Sequence, residues 1–101
     1  MGGTTITKYG KTEEEVLAQL KKQVLLGREV GLFPDSAAVL IKGDDLVEGE
    51  VEKTKAKLFK VSDEGEFTET DKGRIFHVGM SARFSKRPEP GEVLGTLHLH
   101  T

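Results

Sequence analysis

The chain has 101 residues, of which 36% are hydrophobic and 32% are charged, and its 17 acidic and 15 basic side chains leave a net charge of −2. This length and composition predict one soluble globular domain spanning residues 1–101. The well-interspersed charges argue against a nucleic-acid-binding protein, which usually carries a basic excess. The longest apolar run, residues 37–41, is far shorter than the roughly 20 residues that span a bilayer, so no membrane association is expected.

The absence of cysteine limits both the chemistry and the compartment. It excludes disulfides, thiolate nucleophiles and thiolate metal sites. No basic segment followed by an apolar stretch opens the chain, so a secretory signal is not predicted. A chain without thiols fits a reducing compartment, and a cytoplasmic location is the resulting expectation.

The first two predicted elements are a strand and a helix. Residues 4–9 are rich in β-branched side chains and lie between glycines, which predicts a short edge strand. Thr12 and Glu15 fit a capping box, in which the Thr12 hydroxyl accepts from the third amide and Glu15 reaches back to the Thr12 amide. Gly27 or Gly31 is expected to end the helix. The predicted buried face of the helix consists of Val16, Leu17, Leu20 and Val24.

The remainder of the chain alternates apolar and polar residues, which is the pattern of half-buried strands. Four consecutive strands are predicted, separated by segments rich in Gly, Asp and Pro. The predicted strands cover residues 37–42, 46–61, 76–84 and 93–99, and the turns between them cover 43–45, 63–66 and 87–91.

This order predicts an α+β domain in which one N-terminal helix packs on a curved antiparallel sheet of four to five strands, arranged as a meander. The face of the sheet away from the helix is expected to be polar and open to water, a ligand or a partner. The order β-α-β-β-β-β resembles the outline of a cystatin-like fold, by analogy of architecture alone. The Gln-x-Val-x-Gly and Pro-Trp loops with which cystatins inhibit proteases are missing, so protease inhibition is not predicted.

The three histidines are the strongest candidates for a site. His98 and His100 are two residues apart on the last predicted strand and therefore share a face. If the loop 87–91 sets the register of the last hairpin, His77 lies opposite His100. A two-residue turn in the preceding hairpin would then place Glu52 opposite His77. Glu50 and His98 would follow one step along the same face, completing the candidate site.

Such a cluster has three uses. Imidazole and carboxylate groups are ligands for zinc or another first-row divalent metal. A histidine beside a carboxylate can also act as an acid or base near neutral pH, or make an interface depend on pH. Exposed sheet faces commonly carry histidines with none of these roles, and an open face excludes water poorly.

Two functions follow from these observations. The leading prediction is a small non-enzymatic binding or assembly protein without a cofactor, which uses an open sheet face or edge strand to pair with itself, as a homodimer or higher oligomer, or with another protein. The alternative is a small metal-binding or acid–base enzyme with the histidine-rich site on the sheet face. The first function is favoured because it does not require several strands to pair in the particular registers that bring the histidines and glutamates together.

Overall fold

The computed structural model describes residues 3–45, 54–76 and 88–101. In these ranges the chain forms one helix and five strands, and the predicted α+β class is confirmed. No helix among the described residues is long and apolar enough to cross a membrane. The elements are β1 (Gly3–Gly10), α1 (Glu13–Glu29), β2 (Phe33–Lys42), a 3₁₀ turn (Gly43–Asp45), β3 (Thr54–Val61), β4 (Phe67–Phe76) and β5 (Val93–His100).

The strand order differs from a simple meander. The described strands form an antiparallel sheet in the order β1-β5-β2-β3-β4, so β5 lies between β1 and β2. Because β1 and β2 both run antiparallel to β5, they are parallel to each other, and α1 connects them across one face of the sheet. The predicted edge position of the first strand is confirmed among the described strands. The sequence predicted that the last strand pairs with the strand that precedes it in the chain. This prediction is wrong, because both neighbours of β5 come from the N-terminal half.

Local hydrogen bonds set both ends of α1. The Glu15 amide donates to Thr12 Oγ1 at 3.1 Å, as the capping box predicts. The Glu15 carboxylate accepts from the amide of Lys11 at 3.2 Å, one residue before the predicted donor. At the other end the Gly31 and Leu32 amides bond back to carbonyls of the last turn, which is a Schellman motif. Gly31 has a φ of 81°, a left-handed conformation that favours glycine.

The core lies between α1 and one face of the sheet. Gly95 allows the helix to approach β5 closely, since a Cβ at this position would lie 2.4 Å from Val16 Cγ1. The predicted helix face is confirmed, with Leu17 partly buried at its margin. The buried residues of this core are Val16, Leu20, Val24, Ala38, Leu40, Phe59, Val61, Val93, Leu97 and Leu99.

The opposite face of the sheet is only partly open, which corrects the expectation of a wholly polar surface. Ile41 and Leu94 pair with each other on this face and are 2% and 0% exposed. Further along β5, His98 is half-buried and His100 is exposed. The accessible part of this face therefore lies at the end of the sheet that carries the two histidines.

The β3–β4 hairpin differs from its predicted register. Val61 pairs with Phe67, one residue away from the expected partner, because a five-residue loop replaces a two-residue turn. This loop is closed by the Ser62 amide, which donates to the Glu66 carbonyl at 3.0 Å. The register then shifts twice around Leu58. The break in alternation at Ala56 and Leu58 in the sequence predicts a bulge here, which the register shifts confirm, although alternation does not give the resulting register.

Gly95→Ala tests the close approach of helix and sheet. Replacing Gly by Ala at an unstrained position normally stabilises a protein slightly, but here the methyl group overlaps Val16, and we expect a loss of about 1–3 kcal/mol in the free energy of unfolding. Urea denaturation measures this loss. In a Val16→Ala background the overlap disappears and the same substitution should be close to neutral. An equal loss in both backgrounds would contradict the packing described.

Candidate functional site

His98 lies on the face of β5 away from α1, where it contacts β1. Its Nδ1 is 3.3 Å from Thr5 Oγ1. Its ring covers Gly3, where a Cβ would be 2.6 Å from His98 Nε2. The position of the ring therefore depends on the glycine of the neighbouring strand and on the register that pairs Thr5 with His98. Sequence patterning did not identify Gly3 or Thr5 as partners, because the β1–β5 pairing joins opposite ends of the chain.

His100 has a separate partner on the other neighbouring strand. Its Nε2 is 3.1 Å from Asp35 Oδ1, and the two side chains are 47% and 49% exposed. Its Nδ1 is 3.1 Å from the Thr101 carbonyl oxygen. An ion pair between two groups exposed to this degree contributes between about 0 and 1 kcal/mol. Asp35 reaches His100 from a segment of β2 where the register shifts between Pro34 and Ala38. The sequence pattern did not predict this shift.

The predicted row of histidines and glutamates is not formed as expected. The two positions beside His100 in the sheet are occupied by Gly3 and Phe33, so the predicted pairing of His77 with His100 is wrong. His77, Glu50 and Glu52 themselves lie outside the described residues. The prediction that His98 and His100 share the face away from the helix agrees with the burial of the leucines that alternate with them.

The described histidines have the partners of surface side chains. His98 contacts a hydroxyl group and His100 contacts a carboxylate, each on a different strand. Within residues 3–45, 54–76 and 88–101, no three His, Asp or Glu side chains lie close enough to hold a metal ion. The two side chains of the His100–Asp35 pair are about half-exposed, and a pair exposed to this degree does not exclude water.

The outer edge of β1 is the second candidate site. β1 lies at one end of the sheet, and none of the described strands pairs with its outer edge. All eight of its residues pair with β5 without a register shift. Gly3, Thr4 and Thr5 are exposed, and the next five residues are half-buried. The edge therefore presents a regular row of backbone donors and acceptors.

Several large apolar side chains are exposed on the surface of the described residues. They belong to the second half of α1, its C-cap and the start of β2, and they are 40% to 73% exposed. The helix itself is held against β1 by Gln19, whose side-chain amide donates to the Tyr9 carbonyl at 3.0 Å. The exposed apolar residues are Leu25, Leu26, Val30 and Phe33.

A charged cluster joins the first turn of α1 to β2 and β3. Lys57 Nζ donates to Glu13 Oε1 at 2.8 Å, and Lys42 Nζ lies 3.4 Å from Glu13 Oε2. Partial burial raises the pKa of Glu13, but hydrogen bonds and positive charge from Lys57 and Lys42 outweigh it, so the pKa is lowered from its ordinary 4.5. The hydrogen bond to Glu13 raises the pKa of Lys57 above its ordinary 10.5. The cluster stabilises the packing of the helix on the sheet.

A cleft of about 470 Å³ lies beside this cluster. It is bounded by the first turn of α1, by Lys42 and Lys57, and by the segment that leads into β5. Several of its charged groups have partners within the fold, as when Asp44 Oδ1 accepts from the Gly91 amide at 3.0 Å and Glu13 contacts Lys42 and Lys57. These contacts attach the helix to the sheet.

Glu13→Gln tests the contribution of the cluster. A carboxyl whose pKa is lowered by folding stabilises the protein above its ordinary pKa, and this contribution disappears as the pH falls through the pKa of the folded state. We expect Glu13→Gln to lower the free energy of unfolding by about 0.5–1 kcal/mol at pH 7 and to match the wild type near pH 2. Urea denaturation at both pH values measures the difference.

Glu14→Gln is the matched control, because Glu14 is an exposed neighbour in the same helix turn and shares the favourable interaction with the helix dipole. If both variants lose the same free energy of unfolding at pH 7, the contacts of Glu13 with Lys42 and Lys57 do not contribute to stability.

Comparison of the chain with protein families, curated proteins and solved structures found no match. Its function is therefore inferred from the geometry of the described residues.

Proposed function

We propose that this chain is a small non-enzymatic assembly protein that associates with a second copy of itself through the outer edge of β1. The observation that carries the proposal is the regularity of this edge. β1 has eight residues in unbroken register with β5, no proline, and Lys8 as its single charged residue. An exposed strand of this kind is a template for another strand, and natural proteins usually block it.

The opposite end of the described sheet carries such protection. β4 contains four charged residues within ten, and its register with β3 shifts twice. Charges and bulges are two of the devices that prevent a strand edge from pairing. Among the described strands, β1 has no register shift and a single charged residue, which supports β1 as the edge that pairs. The charged residues of β4 are Glu69, Asp71, Lys72 and Arg74.

Two copies that pair through β1 form an isologous contact. An antiparallel β1–β1 pair is related by a two-fold axis perpendicular to the sheet, so the same residues are buried in both copies. The pair removes the outer edge of β1 from each copy and leaves β4 as the other end of the described sheet. A closed dimer is therefore the assembly that this edge favours.

The alternative function, a metal-binding or acid–base enzyme, gains no support from the described residues. His98 and His100 have separate partners on separate strands. The assembly proposal needs only the backbone edge of β1.

The test places charges on the pairing edge and compares them with the same charges elsewhere. The double variant Thr5→Lys/Thr7→Lys adds two cations to β1, where they would face the same groups of the second copy and weaken association. Thr68→Lys/Thr70→Lys is the matched control, because it adds equal charge at alternate positions of β4. Sedimentation velocity over a range of concentrations measures the mass of each protein.

We expect the wild type and the β4 control to approach twice the chain mass as concentration rises, and the β1 variant to remain at the mass of one chain. Circular dichroism confirms that the variants are folded. A wild type that stays monomeric throughout the range, or a β1 variant that associates like the control, would overturn the proposal.

A further inference from the structure

We propose that one side of α1 forms the second half of the same interface, in contact with the same side of α1 in the second copy, and that the two β1 strands pair with Thr5 opposite Thr7. This inference rests on the proposed function and adds its register and its helix contact. The side concerned, here called the α1 flank, consists of Gln19, Gln23, Leu26 and Val30.

The spacing of the α1 flank places its members in one row. Residues 19, 23 and 26 are separated by four and three positions, so their side chains lie along one side of the helix, and Val30, the C-cap residue directly after α1, follows four positions later. The hydrogen bond from Gln19 to the Tyr9 carbonyl directs this side toward β1. None of the four side chains is charged, although the rest of the helix surface is rich in Glu, Lys and Arg.

The position of α1 brings this flank to the proposed interface. Val16 packs over Gly95 and Gly27 packs against Leu99, so the helix lies along β5, and it contacts β1 more extensively than β2. Strands in a sheet are about 4.8 Å apart, and a helix over β1 and β5 therefore lies within roughly one helix diameter of its copy across a β1–β1 pair. Helices at such a distance pack through the sides that face each other.

The exposed apolar side chains of the α1 flank favour a second copy of the chain as the partner at this surface. A stable interface buries about 800 Å² per partner, and a single pair of strands contributes mostly backbone. Leu26 and Val30 are 47% and 73% exposed and follow Gln19, which contacts β1, along the same row, so their burial would supply apolar contact area. An uncharged flank is compatible with its own copy under a two-fold axis, since no like charges are brought together.

The side chains of β1 select the register. A two-fold axis perpendicular to the sheet pairs residues of the same face. One such register sets Ile6 opposite Ile6, Thr5 opposite Thr7 and Thr4 opposite Lys8. In another register the two-fold axis passes at Thr7, and Ile6 then lies opposite Lys8. Ile6 packs on the helix side against the core, so the first register joins two apolar groups beside the two helices.

Cysteine cross-linking tests the register, because the chain has no cysteine of its own. Thr5→Cys and Thr7→Cys are prepared separately and then mixed under mild oxidation. Directly opposed residues have Cα atoms about 4.5–5.5 Å apart, which suits a disulfide. We expect the mixture to form a disulfide-linked dimer and each protein alone to form little. Cross-linking of Thr7→Cys alone, or of Thr5→Cys alone, would assign a different register and overturn this one.

A pair of neighbouring leucines tests the helix contact. Leu26 and Leu25 are 47% and 44% exposed, but only Leu26 belongs to the α1 flank. We expect Leu26→Asp to raise the dimer dissociation constant about tenfold or more, because a charge enters an apolar contact. Leu25→Asp should change it by less than about twofold, as a surface substitution does. Sedimentation equilibrium gives the constants, and Leu26→Gln is the second variant should Leu26→Asp fail to fold.

The outcomes separate this inference from the proposed function. A monomeric wild type overturns both. A wild-type dimer whose dissociation constant responds equally to the two leucine variants overturns the helix contact and leaves association through β1 standing. A wild-type dimer whose mixed cysteine variants fail to cross-link overturns the register in the same way.

Discussion

The fold depends on β5, which has a strand on each side and the helix across one face. β1 and β2 both pair with it, although they belong to the N-terminal half of the chain and β5 ends the chain. Gly95 in this strand lets α1 pack closely, and Leu97 and Leu99 supply apolar surface to the same core. Because the main contacts of β1 with the described elements are with β5 and α1, the position of the edge strand follows from this central strand.

Local chemistry was sufficient to predict the elements but not their neighbours. The capping hydroxyl of Thr12, the left-handed Gly31 and the apolar spacing of the helix are determined by nearby residues, and these predictions are confirmed. Alternation also identified the inward face of β5 correctly. The placement of β5 between β1 and β2 joins residues more than fifty positions apart, and no turn sequence specifies it. A meander was the simplest arrangement and was wrong in this respect.

The histidine prediction depended on register, which explains its outcome. That His98 and His100 share a face requires only the period of a strand, and burial of the intervening leucines agrees with it. The partners of the two histidines required a knowledge of which strands lie beside β5, and they are Thr5 on one side and Asp35 on the other. Asp35 is brought to His100 by a shift in β2 that alternation cannot reveal. A site built from several strands is therefore predictable only as far as the strand order is known.

Backbone hydrogen bonds alone would leave an edge such as β1 unspecific, since every residue offers the same donor and acceptor. Register must be fixed by side chains, and a slip of one residue would turn each of them to the other face. In the proposed dimer, Ile6 on the helix side and the uncharged row on α1 would supply two separate constraints, which a slipped or foreign strand would not satisfy together. The register shifts between β3 and β4 disfavour growth from the other end of the described sheet. An isologous contact at β1 would use the same edge in both copies, so the proposed association would end with two chains instead of continuing into a fibre.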